Sequence, residues 1–184
     1  MLNAAQARPD KTFLYVRGTQ LVPLAQGALW WPSEATLIVS DLHLEKGSRA
    51  LTAAHDWIWV EGNHDPDPPA HLGGRAAKVF RRGDLVFRHE PEGEAGEIAG
   101  HLHPVARIGQ KGRTLRVKCF VSDGSRLILP SMGRLTGGLN VLDTAISGLF
   151  AEGMYVCAVS AGSVRSVPRR RLHPDVRSTG GWRL

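Results

Sequence analysis

In Ile98-Ala99-Gly100-His101-Leu102-His103, a short apolar strand candidate runs directly into paired histidines. Three other groups of polar residues follow apolar strand candidates in the same way. They are Asp41-Leu42-His43 after 35–40, Gly62-Asn63-His64-Asp65 after 57–60, and His89 after 85–88. Ligands of open α/β sheets gather beyond the carboxyl ends of strands. The sequence therefore predicts an α/β fold in which four strand ends carry these side chains to one rim.

The chemistry of these side chains indicates a metal centre. One aspartate, one asparagine and four imidazoles on a single rim suit Mn²⁺, Zn²⁺ or Fe. In extended backbone, the paired side chains of Asp-x-His and His-x-His lie on one side, so each motif can feed one metal or two neighbouring metals. Each motif alone has a structural explanation, since Gly-Asn, for example, favours a turn. All four in this order are hard to explain by chance.

The order Asp-x-His, Gly-Asn-His-Asp, His, Gly-His-x-His resembles the calcineurin-like metallophosphoesterase family. The resemblance implies a four-layer αββα sandwich, in which two β-sheets pack between helices. It also implies a metal-dependent phosphodiesterase. Four segments resemble one bacterial subgroup, the ligase-associated DNA damage response endonuclease PdeM, and so imply a DNA endonuclease linked to repair. These segments are 41–47, 87–91, 100–104 and Thr136-Gly137-Gly138-Leu139-Asn140.

The resemblance implies a role for each matching residue, with two divalent ions, Mn²⁺ first and Zn²⁺ or Fe as alternatives. His64 would protonate the leaving oxygen or stabilise charge on the phosphoryl group, and Asp65 would orient His64. Lys46 and Arg88 would contact the phosphate, although flanking or surface roles are the commoner ones for such residues. The metal ligands would be Asp41, His43 and His103 for the first ion, and Asn63, His89 and His101 for the second.

The sequence departs from the family pattern in one place. The family has a strand ending in Gly-Asp, whose aspartate bridges both metals, but residues 44–61 contain no Gly-Asp. Asp56 precedes its strand and so belongs at the wrong end, whereas Glu61 lies at the correct end and is a weak candidate replacement. The sandwich is therefore expected to lack a central strand and its flanking helices, which leaves 35–40 and 57–60 either paired directly or separated by a void. An omitted segment, a deletion in the gene and a natural short form all fit.

Two further functions remain open because of this gap and because the substrate is not encoded in a motif. One is a small-molecule phosphoesterase that acts on nucleotides. The other is a catalytically impaired scaffold or nucleic-acid-binding module with the same fold. Two metals per chain would favour an enzyme, because they would require another group to replace the missing bridge.

The composition agrees with a nucleic-acid partner. The net charge is +6 and the isoelectric point about 9.9, which favours polyanions such as DNA. DNA ligase and helicase repair proteins are further partners implied by the resemblance. We expect one metallophosphoesterase domain over 1–168, a basic tail over 169–184, no membrane segment and a cytoplasmic location. The two cysteines are predicted to be buried thiols, and the sequence does not indicate an oligomeric state.

Overall fold

The computed structural model describes residues 12–40, 58–60, 75–110, 112–132, 137–150, 152–160 and 162–175. Strands dominate this part of the chain, and the α-helix within it is a single turn. The elements are β1 (Leu14–Val16), β2 (Thr19–Pro23), β3 (Leu29–Trp31), β4 (Thr36–Ile38), β5 (Ile58–Val60), β6 (Arg75–Ala77), β7 (Val79–Arg82), β8 (Leu85–Arg88), β9 (Glu97–Ala99), β10 (Val105–Gln110), β11 (Arg113–Ser122), β12 (Leu127–Ile128), α1 (Thr144–Ser147), β13 (Tyr155–Ser160), β14 (Ser163–Val167) and β15 (Leu172–His173).

The strands form two large sheets and one small one. The first sheet has the order β1-β2-β3-β4 and is antiparallel throughout. The second follows the path β14-β13-β11-β12-β9-β8-β7, with β10 added to β11 and β15 added to β10. Within it, β9 is parallel to both β8 and β12, while the other pairs are antiparallel. The small sheet consists of the parallel pair β5 and β6.

Apolar side chains cover both faces of the second sheet. Phe120 lies in a core that also contains Leu14, Leu21 and Trp31 of the first sheet, so the two large sheets pack face to face. The neighbouring residue Cys119 lies in a second core on the opposite face, beneath α1 and the residues around it. Successive side chains of a strand point to opposite faces, which explains how β11 serves both cores.

The sequence predicts three hairpins, with turns around Gly83, Gly124 and Gly162, and the structure confirms them. Turn residues lie between β7 and β8, between β11 and β12, and between β13 and β14, and each pair of strands is antiparallel. In the second of these, the Asp123 carboxylate accepts hydrogen bonds from the backbone N–H groups of Ser125 and Arg126, both at 2.8 Å. An aspartate that bonds forward to its own backbone is a common way to fix a turn.

One expectation about the strands is wrong, namely that the apolar run 35–40 forms a strand buried on both faces. β4 is not buried on both faces, since Leu37 is 37% exposed and the strand pairs with β3. Of the two arrangements left open for 35–40 and 57–60, direct pairing is absent among the described residues, where β5 pairs with β6. The fold continues past residue 168, because β15 pairs with β10 and Leu172 is buried in the second core. None of the helices in the described part of the chain is long and apolar enough to cross a membrane.

Candidate metal centre

The parallel pair β8 and β9 brings two predicted ligands together. Phe87 is opposite Ile98 and Arg88 is opposite Ala99, so both strands end at the same edge of the sheet. His89 directly follows β8, and Gly100 and His101 follow β9. A hydrogen bond of 3.1 Å from the Gly100 N–H to the His89 carbonyl holds the two strand ends side by side. The expectation that strand ends gather these side chains is confirmed for His89 and His101.

The two imidazoles face each other through ring nitrogens. His101 Nδ1 lies 3.1 Å from His89 Nε2, and the rings meet edge to face with centroids 4.9 Å apart. Two nitrogens bound to one tetrahedral Zn²⁺ at about 2.05 Å each would be about 3.3 Å apart. The observed separation is close to that value. The pair can therefore direct two lone pairs at one ion, or share a proton when no ion is bound.

Glu90 adds a carboxylate that the sequence analysis did not select. Ligand atoms of His89, Glu90 and His101 all lie within 4.8 Å of one another. The Glu90 Oε1 atom is 3.8 Å from His101 Nε2, which is the ring nitrogen that faces away from His89. Glu90 can thus serve as a third ligand, or it can orient His101 from behind, as carboxylates often do for metal-bound imidazoles. Its place next to His89 was the signal in the sequence.

His103 lies two residues further along, outside this group of three. His101 and His103 have φ angles of 61° and 46°, so both residues adopt left-handed backbone conformations. The prediction that their side chains share one side of an extended segment is therefore wrong. Left-handed geometry is uncommon for residues other than glycine, although histidine is one of those that tolerate it. Such conformations cluster at functional sites, where the surrounding structure holds them in place.

Backbone from 138–140 packs directly on this histidine segment. The Leu102 carbonyl accepts a hydrogen bond of 3.3 Å from the Leu139 N–H, and the Leu139 carbonyl accepts one of 2.8 Å from the Val105 N–H. A Cβ atom at Gly138 would collide with the His103 carbonyl oxygen. Glycine at this position is required by close approach, which gives a physical reason for part of the Thr136–Asn140 motif.

The other predicted site residues lie outside the described residues. They are the ligands Asp41, His43 and Asn63, the catalytic pair His64 and Asp65, and the phosphate contact Lys46. The same holds for Asp56 and Glu61, the acids considered as substitutes for the missing bridge. Their roles stay predictions.

Arg88 immediately precedes His89, but its guanidinium is turned into a cluster of carboxylates. It forms ion pairs with Glu92, Glu94 and Glu97, and its side chain is only 6% exposed. Glu97 is fully buried, and its carboxylate accepts hydrogen bonds from the backbone N–H groups of Glu92 at 2.8 Å and Gly93 at 2.9 Å. These contacts tie the loop that carries His89 and Glu90 to β9. The phosphate contact of Arg88 stays a prediction. The ion pairs of Arg88 with the three glutamates give this residue a structural role.

Burial dominates the electrostatics of Glu97. Desolvation raises the pKa of this carboxyl, while the hydrogen bond from Gly93 and the charge of Arg88 act in the opposite direction. At the rim of the cluster, the Arg81 hydrogen bond lowers the pKa of Glu94. Arg81 donates to both Glu94 oxygens, at 2.6 and 2.9 Å. Burial thus raises the pKa in the interior of the cluster, at Glu97, whereas the arginine contact lowers it at the exposed rim, at Glu94.

Comparison with solved structures gives the fold an independent reference. A structure described as "Crystal structure of Pseudomonas putida nuclease MPE" is similar with a TM-score of 0.66. The similarity covers 85% of this chain and 99% of that chain, at 24% sequence identity. The chain shares the fold of that nuclease. No family model and no curated protein matches the chain. The likeness establishes a common sheet-rich α/β fold.

Proposed function

We propose that this chain is a metal-dependent phosphodiesterase that hydrolyses DNA. The observation that carries the proposal is the pair of ring nitrogens of His89 and His101, which meet at the ends of adjacent parallel strands. The carboxyl ends of parallel strands are where α/β folds hold their ligands. The shared fold with a Pseudomonas putida nuclease supports the same conclusion.

The proposal includes two divalent ions, which supply charge neutralisation and activation of water for attack on a phosphodiester. Asp41, His43 and His103 would hold one ion. Asn63, His89 and His101 would hold the other. The left-handed turn at 101–103 supports this division, because His101 joins the group with His89 and Glu90, and His103 lies outside it.

The remaining chemistry belongs to residues of the Gly-Asn-His-Asp motif. His64 would protonate the leaving oxygen, with Asp65 holding its ring in position. Lys46 would contact the phosphate. The imidazole and amide ligands, together with carboxylates, suit Mn²⁺ first and Zn²⁺ or Fe next.

Finer features of the proposal come from the family resemblance. They are the four-layer sandwich, the PdeM-type role in DNA repair, DNA ligase and helicase proteins as partners, and a cytoplasmic location. The face-to-face packing of two large sheets supports the two inner layers of such a sandwich. The net charge of +6 supports a nucleic-acid substrate.

The test measures hydrolysis by the full chain with Mn²⁺ or Zn²⁺, using single-stranded DNA and bis(p-nitrophenyl) phosphate, together with the metal bound per chain. His89→Ala and His101→Ala should each lower kcat/KM by about 100-fold or more, because loss of a ligand exceeds the 10–100-fold cost of losing an outer-shell partner. His71→Asn is the matched control, since His71 belongs to none of the motifs. It should keep the wild-type rate.

Each other outcome selects a different function. Cleavage of small diesters without cleavage of DNA would identify a small-molecule nucleotide phosphoesterase. Metal binding without hydrolysis of either substrate would identify an impaired scaffold or binding module. The missing Gly-Asp motif is the reason for this alternative. Equal losses in the histidine variants and in the His71 control would show that these imidazoles are not ligands.

A further inference from the structure

A row of basic side chains crosses three strands of the second sheet next to the candidate metal centre. Arg107 on β10 is directly opposite Arg116 on β11 and directly opposite His173 on β15. Lys118 lies two residues beyond Arg116 and opposite Val105. Directly opposite residues of antiparallel strands project from the same face of a sheet. The cationic face, as we call it, therefore consists of Arg107, Arg116 and Lys118, and His173 lies beside Arg107 on the same face.

The cationic face continues a surface that is apolar further along β11. Phe120 is two residues after Lys118, so it projects from the same face, where it is buried under the first sheet. Lys118 is half-buried, donates to the Ser131 carbonyl at 2.9 Å, and has its pKa lowered by burial. The Arg116 side chain is 44% exposed. Along β11 the same face of the sheet thus changes from buried core at Phe120 to an exposed basic surface at Arg116.

In the described part of the chain, Arg107 and Arg116 contact mainly neutral acceptors. Arg107 donates to the Thr114 hydroxyl at 3.0 Å and the Pro174 carbonyl at 3.2 Å, and Arg116 donates to the Gly138 carbonyl. All three acceptors are neutral. Among the described residues, the carboxylate of Asp175 lies 3.6 Å from Arg116 and is shared with Asn140. Like charges directly opposite one another destabilise a sheet, so two arginines facing each other suggest an anion as their partner.

The cationic face adjoins the histidine segment. β10 begins two residues after His103, and the Cys119 N–H donates to the Pro104 carbonyl at 3.1 Å. Arg116 holds the carbonyl of Gly138, whose Cα lies against the backbone of His103. A polyanion bound along the row would therefore pass the segment that carries His101 and His103.

We propose that the cationic face binds the phosphate backbone of DNA and guides the strand to the metal centre. The guiding role rests on the proposed function, whereas the binding itself does not. Contacts from arginine and lysine to phosphates position nucleic acid without reading its sequence. Each neutralised phosphate releases counterions, which makes the affinity fall with salt.

The experiment compares Arg107→Gln/Arg116→Gln with a control that loses the same charge, Arg17→Gln/Arg165→Gln. Both control residues lie away from the cationic face. The Arg17 backbone bonds to Gly124, which lies beyond the far end of β11. Arg165 is opposite Ala158, and Ala158 is opposite Cys119, so Arg165 projects from the other face of the sheet. Binding of a fluorescent single-stranded 20-mer is measured by anisotropy without divalent metal at several salt concentrations. Hydrolysis of bis(p-nitrophenyl) phosphate with Mn²⁺ is measured in parallel.

Loss of two phosphate contacts should lower the slope of log affinity against log salt by about 1.4 for a single strand. We expect about tenfold or more weaker DNA binding at low salt than for the control variant. Binding equal to that of the control variant would overturn the proposal. If no phosphodiester is hydrolysed by the wild type, the proposed function fails, and the anisotropy result still decides the fate of the cationic face.

Discussion

At the residue scale, Arg88 and Glu97 form the most deeply buried ion pair described. Their closest approach is 3.3 Å between Arg88 Nε and Glu97 Oε1, and neither side chain is more than 6% exposed. Burying charges is costly, so such pairs contribute little net stability, but removing one partner leaves an uncompensated charge. The pair therefore fixes the loop after β8 more than it stabilises the fold.

We predict that Arg88→Met lowers the free energy of unfolding by about 3 kcal/mol, because Glu97 then loses its nearest cation. Arg88→Met/Glu97→Gln should recover part of that loss. Urea denaturation of the two single variants and the double variant gives the coupling energy. A loss below about 1 kcal/mol, together with a raised KM for DNA, would instead favour the phosphate contact predicted from the sequence.

Cys119 and Cys157 are both buried, as expected, and both have raised pKa values. Burial raises the pKa of the Cys157 thiol to about 11 and that of Cys119 well above its ordinary value. The thiolate is the reactive form, so the native protein at pH 8 should react with iodoacetamide far more slowly than the urea-unfolded chain. Mass spectrometry of the alkylated protein checks this. Rapid native labelling of either thiol would contradict the burial described here.

At the scale of elements, the contact between Gly138 and His103 positions the histidine segment. Gly138→Ala should push this segment away, because the added Cβ has backbone rather than a flexible side chain in its path. We expect a clear loss of thermal stability and of metal affinity, measured by melting temperature and calorimetric titration. The size of each loss depends on how far the segment can yield.

Gly137→Ala is a matched control for this change. A Cβ at Gly137 meets no atom within 4 Å, and its φ is not in the left-handed region. The control should keep both the melting temperature and the metal affinity of the wild type. Equal effects at the two positions would mean that the pairing of 138–140 with the histidine segment has no influence on the site.

The elements found from sequence were those with strong local signals. Hairpins around Gly83, Gly124 and Gly162 were predicted because glycine and aspartate turns separate β-branched or aromatic runs. β10 was missed because Arg107 and Gly109 interrupt its apolar pattern, and these residues are explained only by the neighbouring strands. β4 was assigned to a sheet interior from its composition, but an edge position depends on which strands pair, which is not encoded locally.

The site shows the same division between local and long-range information. His89 and His101 could be predicted because a polar residue after an apolar strand is a local pattern. The left-handed turn at 101–103 could not, since it depends on hydrogen bonds with 138–140, far along the chain. The ion pairs of Arg88 were hidden for a similar reason, because buried Glu97 resembles a surface residue in the sequence.

At the scale of the whole molecule, the second sheet separates the two cores of the described residues and carries both the candidate ligands and the cationic face. The first core is shared with β1–β4, and the second lies under α1. His89 and His101 follow the adjacent strands β8 and β9, and the cationic face begins where β10 leaves the histidine segment. Packing that stabilises the sheet therefore also sets the spacing of the candidate ligands.

The twelve-residue separation of His89 and His101 has a consequence for the denatured chain. Closing so short a loop costs little entropy, so the unfolded ensemble should itself retain affinity for Zn²⁺. A ligand at 100 times its native Kd stabilises a protein by about 2.7 kcal/mol only when the unfolded form does not bind it. In urea denaturation, Zn²⁺ should therefore raise the free energy of unfolding by less than the native Kd from calorimetry predicts. An increase equal to the predicted value would mean that only the folded chain binds the ion.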